Sequence, residues 1–118
     1  MLKLNHKNLD VWKISVELVA DIYALTENFP KTEIFGLSNQ LRRASVSITS
    51  NIGEGSARPT IPDRKKFYNT ARSSLVEIDS QLELAVRLRF TTYEDLTIID
   101  ETMNELFAKL SSLIDKTR

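Results

Sequence analysis

Seven cationic side chains, Arg42, Arg43, Arg58, Arg64, Lys65, Lys66 and Arg72, fall between positions 42 and 72, against two acidic ones, Glu54 and Asp63. The chain as a whole has 16 basic and 16 acidic residues, so its formal net charge is zero. The excess is therefore local. From Met1 through Leu41 four basic residues meet five acidic ones, and from Ser73 onward five meet nine. Clustered Lys and Arg neutralise phosphates and release counterions, which is the chemistry of nucleic-acid binding with a steep salt dependence. The alternative is that these cations are ordinary solvated charges or pair with the acidic half. Arg43, Ser47, Asn51 and Glu54 recur at spacings of three and four and share one helix face. They read as a structural polar network at a helix or subunit contact, with Arg43 reaching Ser47 or Glu54; a ligand site is the other reading.

Catalytic chemistry finds little to use. His6 is the one histidine, and cysteine is absent. A Glu-x-x-His di-metal bundle site, a Ser-His-Asp triad and thiolate zinc or nucleophile sites each lack a required residue. His6 precedes the first helical pattern and reads as a solvated terminal side chain. Gly53-Glu54-Gly55 has neither the spelling nor the preceding strand of a phosphate loop. Asp100, Glu101 and Glu105 read as a solvated helix face. The expectation is a non-enzymatic protein with no catalytic residue, metal or cofactor.

The elements that position these residues follow from hydrophobic spacing in a chain of 118 residues, one domain in size. Four blocks carry helical periodicity, at about 8–28, 37–57, 62–89 and 93–116. Val11, Ile14, Leu18, Ile22 and Leu25 form the first stripe. Leu37, Leu41, Ala44, Ile48 and Ile52 form the second, Ala71, Leu75, Ile78, Leu82 and Ala85 the third, and Leu96, Ile99, Met103, Leu106, Leu110 and Leu113 the fourth. Thr60 with Pro62 and Asp63 spells the start of the third helix, and Thr91-Thr92-Tyr93-Glu94 that of the fourth. Gly53 and Gly55 weaken the second helix near its end, where fraying is expected. Short connections make the fold class all-α, an antiparallel up-down-up-down four-helix bundle. Its second and third helices meet at a tip carrying Arg58, Arg64, Lys65 and Lys66.

The first helix has more apolar surface than one core needs. Trp12, Val16, Val19 and Tyr23 form a second stripe, and Val46 faces outward on the second helix. Such surplus marks a partner, and a second copy of the chain is the simplest one. The other reading is that Trp12 and Tyr23 cap the bundle edge. No apolar signal-peptide core opens the chain, and no run approaches the roughly 18 apolar residues of a membrane span. A cytoplasmic protein with no membrane partner is expected.

Asp10-Val11-Trp12-Lys13, Phe29-Pro30, Phe35-Gly36-Leu37-Ser38-Asn39-Gln40-Leu41-Arg42-Arg43-Ala44 and Ser47-Ile48-Thr49-Ser50-Asn51-Ile52-Gly53-Glu54-Gly55 resemble the bacterial four-helix-bundle family encoded by intervening sequences within 23S ribosomal RNA genes. Ser73-Ser74-Leu75-Val76-Glu77 and Gln81-Leu82 fit its third helix. The family often has Ala where Gly53 stands and Pro where Thr49 stands. The resemblance implies a left-handed bundle, a ring-like homopentamer and no catalytic activity. A related branch, the accessory variability determinants of diversity-generating retroelements, is similar in fold and binds a reverse transcriptase and nucleic acid through basic surfaces. For this chain the implied partners are other copies of itself, RNA or DNA, and a reverse transcriptase or other protein. A protein–protein scaffold without nucleic-acid contact is the alternative function.

Overall fold

The computed structural model describes residues 1–118. Four α-helices account for it: α1 (Asp10–Thr26), α2 (Leu37–Ala57), α3 (Ile61–Arg87) and α4 (Thr97–Lys116), with short 3-10 turns at Asn5–Asn8, Lys31–Glu33 and Glu94–Leu96 and no strand. Each helix packs on its neighbour in sequence, and α4 closes back on α1; the backbones of the diagonal pairs stay farther apart. Side-chain partners fix the directions. Ser15 meets Thr49 while Thr26 meets Arg42, and Ser47 meets Ser74 while Ser56 meets Tyr68. As one number rises the other falls, so α1 and α3 both run antiparallel to α2. The bundle is 43 Å long.

The apolar stripes meet in one core. Leu18, Ile22, Leu41, Ile48, Ile52, Ile78, Leu106 and Leu110 are fully buried. Between helices the core is edged by small hydroxyls. Ser15 Oγ lies 2.9 Å from Thr49 Oγ1 across the α1–α2 seam, and Ser47 Oγ lies 3.1 Å from Ser74 Oγ across the α2–α3 seam. These short side chains let backbones approach and satisfy one another's polar atoms, as buried hydroxyls must.

Three helix ends and one side chain depart from the sequence reading. The first nine residues are not part of α1: Asn5–Asn8 form their own turn, and Leu9 is extended before the helix opens at Asp10. The ring of His6 is folded back beside Gly53, with its edge toward Trp12 at a centroid distance of 5.6 Å. It is half-buried, not a solvated terminal side chain. α2 does not fray at its glycines and continues to Ala57, because Gly55 is packed beneath Phe67 and Tyr68 of α3. α4 begins later than Thr92. The Thr92 hydroxyl accepts from the Asp95 amide, but this opens the 3-10 turn that tucks Leu96 into the core, and the α-helix starts at Thr97.

Two ends are chemically explicit. The Thr60 hydroxyl accepts from the Asp63 amide at 3.4 Å and caps α3. The other end of α3 closes with Phe90 N–H donating to the Ala85 carbonyl and Arg89 N–H to that of Val86, the paired bonds of a Schellman motif. Arg89 takes the left-handed position with φ 65°, a conformation that favours glycine. Phe90 is held against Phe29 at 5.5 Å between ring centroids.

Candidate nucleic-acid interface

The structure separates the seven cations into three settings. Arg42 and Arg58 are sixteen positions apart along α2, about 24 Å at the helical rise, so no single patch contains all of them. Arg42 belongs to the α1–α2 seam. Its Nε donates to Thr26 Oγ1 at 2.8 Å, and its guanidinium lies 4.7 Å from the centre of the Tyr23 ring. Arg72 belongs to the α3–α4 seam, donating to Ser111 Oγ and Asn69 Oδ1 beside the ring of Phe107. Arg43 is exposed near the start of α2 and forms no ion pair.

The remaining four gather where α2 turns into α3. Pro59 and Thr60 reverse the chain there, and the capped first turns of α3 present Arg64, Lys65 and Lys66 in succession. Arg58 is held in place: Nη2 pairs with Glu54 Oε1 at 2.8 Å, and the guanidinium stacks 4.6 Å from the centre of the Phe67 ring. Arg64 Nε donates to the Arg58 carbonyl at 2.7 Å, which braces the turn. Lys65 and Lys66 have no acidic partner within salt-bridge distance. Glu54 is committed to Arg58, and Asp63 on the same turn pairs with no cation, so Arg64 and Lys66, exposed, and Lys65, half-buried, have no carboxylate within salt-bridge distance. Sequence counting missed other charges at this end, of both signs, among them Lys7, Asp10 and Asp115. Lys109 reaches Asp10 at 3.7 Å, so the last turns of α4, with Lys116 and Arg118, lie at the same end as the start of α1 and the α2–α3 turn. Antiparallel topology was the available signal, because it returns α4 to that end.

The polar track on α2 is split. Asn51 Nδ2 donates to the carbonyl and the hydroxyl of Ser47, which continues to Ser74. Arg43 does not reach Ser47 or Glu54. The network is therefore Ser47, Asn51 and Ser74; Glu54 pairs with Arg58 instead, and Arg43 stays in solvent. Of the apolar interface candidates, Val16, Tyr23 and Val46 are exposed, Val19 is half-buried, and Trp12 is packed against the core with His6 across its edge.

A groove of ≈ 210 Å³ lies between α3 and α4, with Asp79, Asp100 and Asn104 among Leu75, Val76, Met103 and Phe107. Loss of solvent, and then the charges of Asp79 and Glu83, push the Asp100 carboxyl above its ordinary value of 3.8. A carboxyl whose folded value is raised favours the fold when protonated and loses that contribution as pH rises through the folded value. Asp100→Asn is therefore expected to raise the melting temperature at pH 7. The gain should vanish as the pH falls below the ordinary aspartate range. Melting curves across that range check it, and an equal gain at every pH would rule this cause out.

Side-chain chemistry and topology place the protein in a class: all-α four-helix bundles with a cationic turn at one end. The model of the 23S rRNA-intervening sequence protein family matches residues 7–112, and the chain belongs to that family. It is also similar to a crystal structure of a protein of unknown function from the S23 ribosomal protein family of Bacteroides thetaiotaomicron. The two share 28% identity with a TM-score of 0.78, over 88% of this chain and 97% of that one. A search of the curated proteins returned no match. No helix is long and apolar enough to cross a membrane.

Proposed function

We propose that the protein is a non-enzymatic, homo-oligomeric accessory protein that binds RNA through the α2–α3 tip. The observation that carries this reading is the run Arg64, Lys65, Lys66 on the first turns of α3, with the nearby Glu54 already engaged by Arg58. Phosphates are the anions such a turn suits, since they need charge and no base-edge geometry. The one aromatic ring beside the run, Phe67, is covered by Arg58, so it offers no stacking platform for single strands. Recognition is of backbone and shape. The family's name makes structured 23S ribosomal RNA the first ligand to test. DNA is the comparison, and a homopentamer, by family resemblance, is the proposed assembly.

The experiment is a titration of the protein against a structured 23S ribosomal RNA fragment between about 50 and 200 mM salt. Binding should weaken steeply over that range. Lys65→Glu/Lys66→Glu should bind at least about tenfold more weakly, with a log–log salt slope flatter by about 2, one for each phosphate that a lysine no longer neutralises. No shift at low salt, or one unchanged by the double reversal, would remove the tip from consideration. A protein–protein scaffold is the second reading. It is favoured by the α1–α2 connection at the other end, where Ile34 and Phe35 are 58% and 91% exposed. That reading expects salt-insensitive association with a protein and no RNA shift.

A further inference from the structure

The seam between α1 and α4 is furnished unevenly along its length. Toward the end that holds the α2–α3 turn, the chain supplies its own cation: Lys109 Nζ lies 3.7 Å from Asp10 and 3.3 Å from Glu105. Asp21 stands eleven positions beyond Asp10 on α1, about 16 Å along the axis, and there no cation answers. A groove of ≈ 460 Å³ opens at that level, between the last turns of α1 and the start of α4. Leu25, Ile98 and Ile99 are among its apolar residues, and Asp21, Asn28 and Asp95 are its polar ones. No Lys or Arg lines it, and neither carboxylate has one within salt-bridge distance. Glu17, one turn before Asp21, adds a further negative charge on the same face. The cations nearest in the chain are placed elsewhere. Lys13 lies two turns below Asp21, Lys31 lines a separate groove on the α1–α2 side, Arg87 pairs with Glu83, and Arg89 is exposed just beyond the end of α3. Ile98 is 71% exposed, so a large apolar side chain stands bare beside two unpaired carboxylates.

That combination suits a side chain with an aliphatic stem and a positive head, which describes lysine and arginine. The shape of the groove decides how such a side chain is presented. The protein has no strand, so the groove has no open main-chain edge, and an extended segment would gain no ladder of backbone bonds there. A helix fits the furrow between two others and offers side chains at i, i+3 and i+4 to one face. Phosphate-bearing partners are repelled by the carboxylates, which sets this surface apart from the cationic α2–α3 tip. We propose that the α1–α4 groove is a docking site for a basic amphipathic helix of a partner protein, with a Lys or Arg of that helix between Asp21 and Asp95 and its apolar neighbours on Ile98 and Leu25. This goes beyond RNA binding at the tip. It gives the bundle a second surface of opposite charge, near its other end, so that one molecule holds RNA and a basic protein segment together.

The probe is a labelled synthetic peptide of about 14 residues, long enough to form a helix on binding, with leucines on one face and lysines on the other. It is titrated with the full chain by fluorescence anisotropy. Two further peptides serve as controls: one with glutamate in place of every lysine, and one of identical composition scrambled to remove the apolar face. The basic amphipathic peptide should bind, and the amide resonances of Ala24, Leu25 and Ile98 should shift. Asp21→Lys/Asp95→Lys should weaken binding at least about tenfold, and the milder Asp21→Asn/Asp95→Asn should act in the same direction. Ile98→Ser should weaken it about fivefold or more through lost apolar contact. Glu77→Lys/Asp115→Lys makes the same change in net charge at exposed positions elsewhere and should leave binding nearly unchanged. Circular dichroism confirms the helical content of each variant. Lys65→Glu/Lys66→Glu, impaired toward RNA, should still bind the peptide, so the two readings fail separately. No binding, equal binding of either control peptide, or equal loss in Glu77→Lys/Asp115→Lys would each overturn the proposal. So would groove amides that move with protein concentration alone, as they would if a second copy filled the groove.

Discussion

Leu41→Ala will destabilise the protein by about 2.5–5 kcal/mol, the span observed when a buried leucine is truncated and the site collapses only in part. Leu41 is 0% exposed and belongs to the contiguous core cluster. Truncation opens a void at the level where α2 faces the rest of the core, and helices held on both sides have little freedom to close it. Domains of this size hold about 5–15 kcal/mol in total, so this one change removes about a quarter to a half of the stability of one in the middle of that range. In urea titrations at fixed protein concentration the midpoint should fall while the slope stays constant. Val46→Ala, on the outer side of the same helix, should stay within about 0.5 kcal/mol. A loss below about 1 kcal/mol at Leu41 would show a core that refills easily, unlike a close-packed interior.

The two glycines of α2 should respond in opposite directions to the same substitution. A Cβ on Gly55 would stand 2.9 Å from Tyr68 Cε1 and 3.0 Å from Phe67 Cβ. The Phe67 atom moves only with the α3 backbone, and Tyr68 is buried with its hydroxyl 3.3 Å from Ser56 Oγ. Gly55→Ala must therefore push the helices apart, costing about 1–3 kcal/mol from overpacking and outweighing the propensity gain of about 1 kcal/mol. At Gly53 the nearest atom is His6 Cδ2 at 3.4 Å, an ordinary contact with the side chain of a terminal arm. Gly53→Ala should stabilise by about 0.5–1 kcal/mol. Thermal melts of the two single variants decide the matter. A stabilising Gly55→Ala would mean that the α2–α3 contact is looser than the 2.9 Å approach implies.

The helices are legible in the sequence because Leu18, Ile48, Leu75 and Leu106 repeat with their neighbours at helical spacing, and that period governs which side is buried. Ends are less legible, because local signals compete with packing. Thr92 spells a cap and serves as one, yet the burial of Leu96 delays the helix by a turn. Gly53 and Gly55 look alike in sequence, and only the arrival of Tyr68 from α3 distinguishes them. The basic segment is visible as a count, but not its division. Arg42 and Arg72 are drawn into seams by Thr26 and Ser111, residues sixteen and thirty-nine positions away. Spacing leaves His6 in solvent, because nothing local marks the ring of a terminal residue for a glycine on another helix. The Arg43–Glu54 pairing fails because the two stand eleven positions apart on one helix, about 16 Å along its axis and beyond side-chain reach, while Arg58, four positions beyond Glu54, engages it.

The hydroxyl pairs flanking α2 have a consequence for uniqueness. Leucine and isoleucine contacts are tolerant of sliding, and a helix shifted by one turn, about 5.4 Å, would still present an apolar stripe to the core. Ser15–Thr49 on one side and Ser47–Ser74 on the other would not survive such a shift. It would break both cross-helix pairs: Ser15 keeps its bond to the Trp12 carbonyl and Ser47 its bond from Asn51, so the cost falls chiefly on the buried Ser74, at about 1–3 kcal/mol for a hydroxyl left unpaired. α2 is thus keyed longitudinally on both flanks, and slipped arrangements of the bundle are penalised by groups that add little to the depth of the native well. What these small side chains contribute is the gap between the correct alignment and its near neighbours.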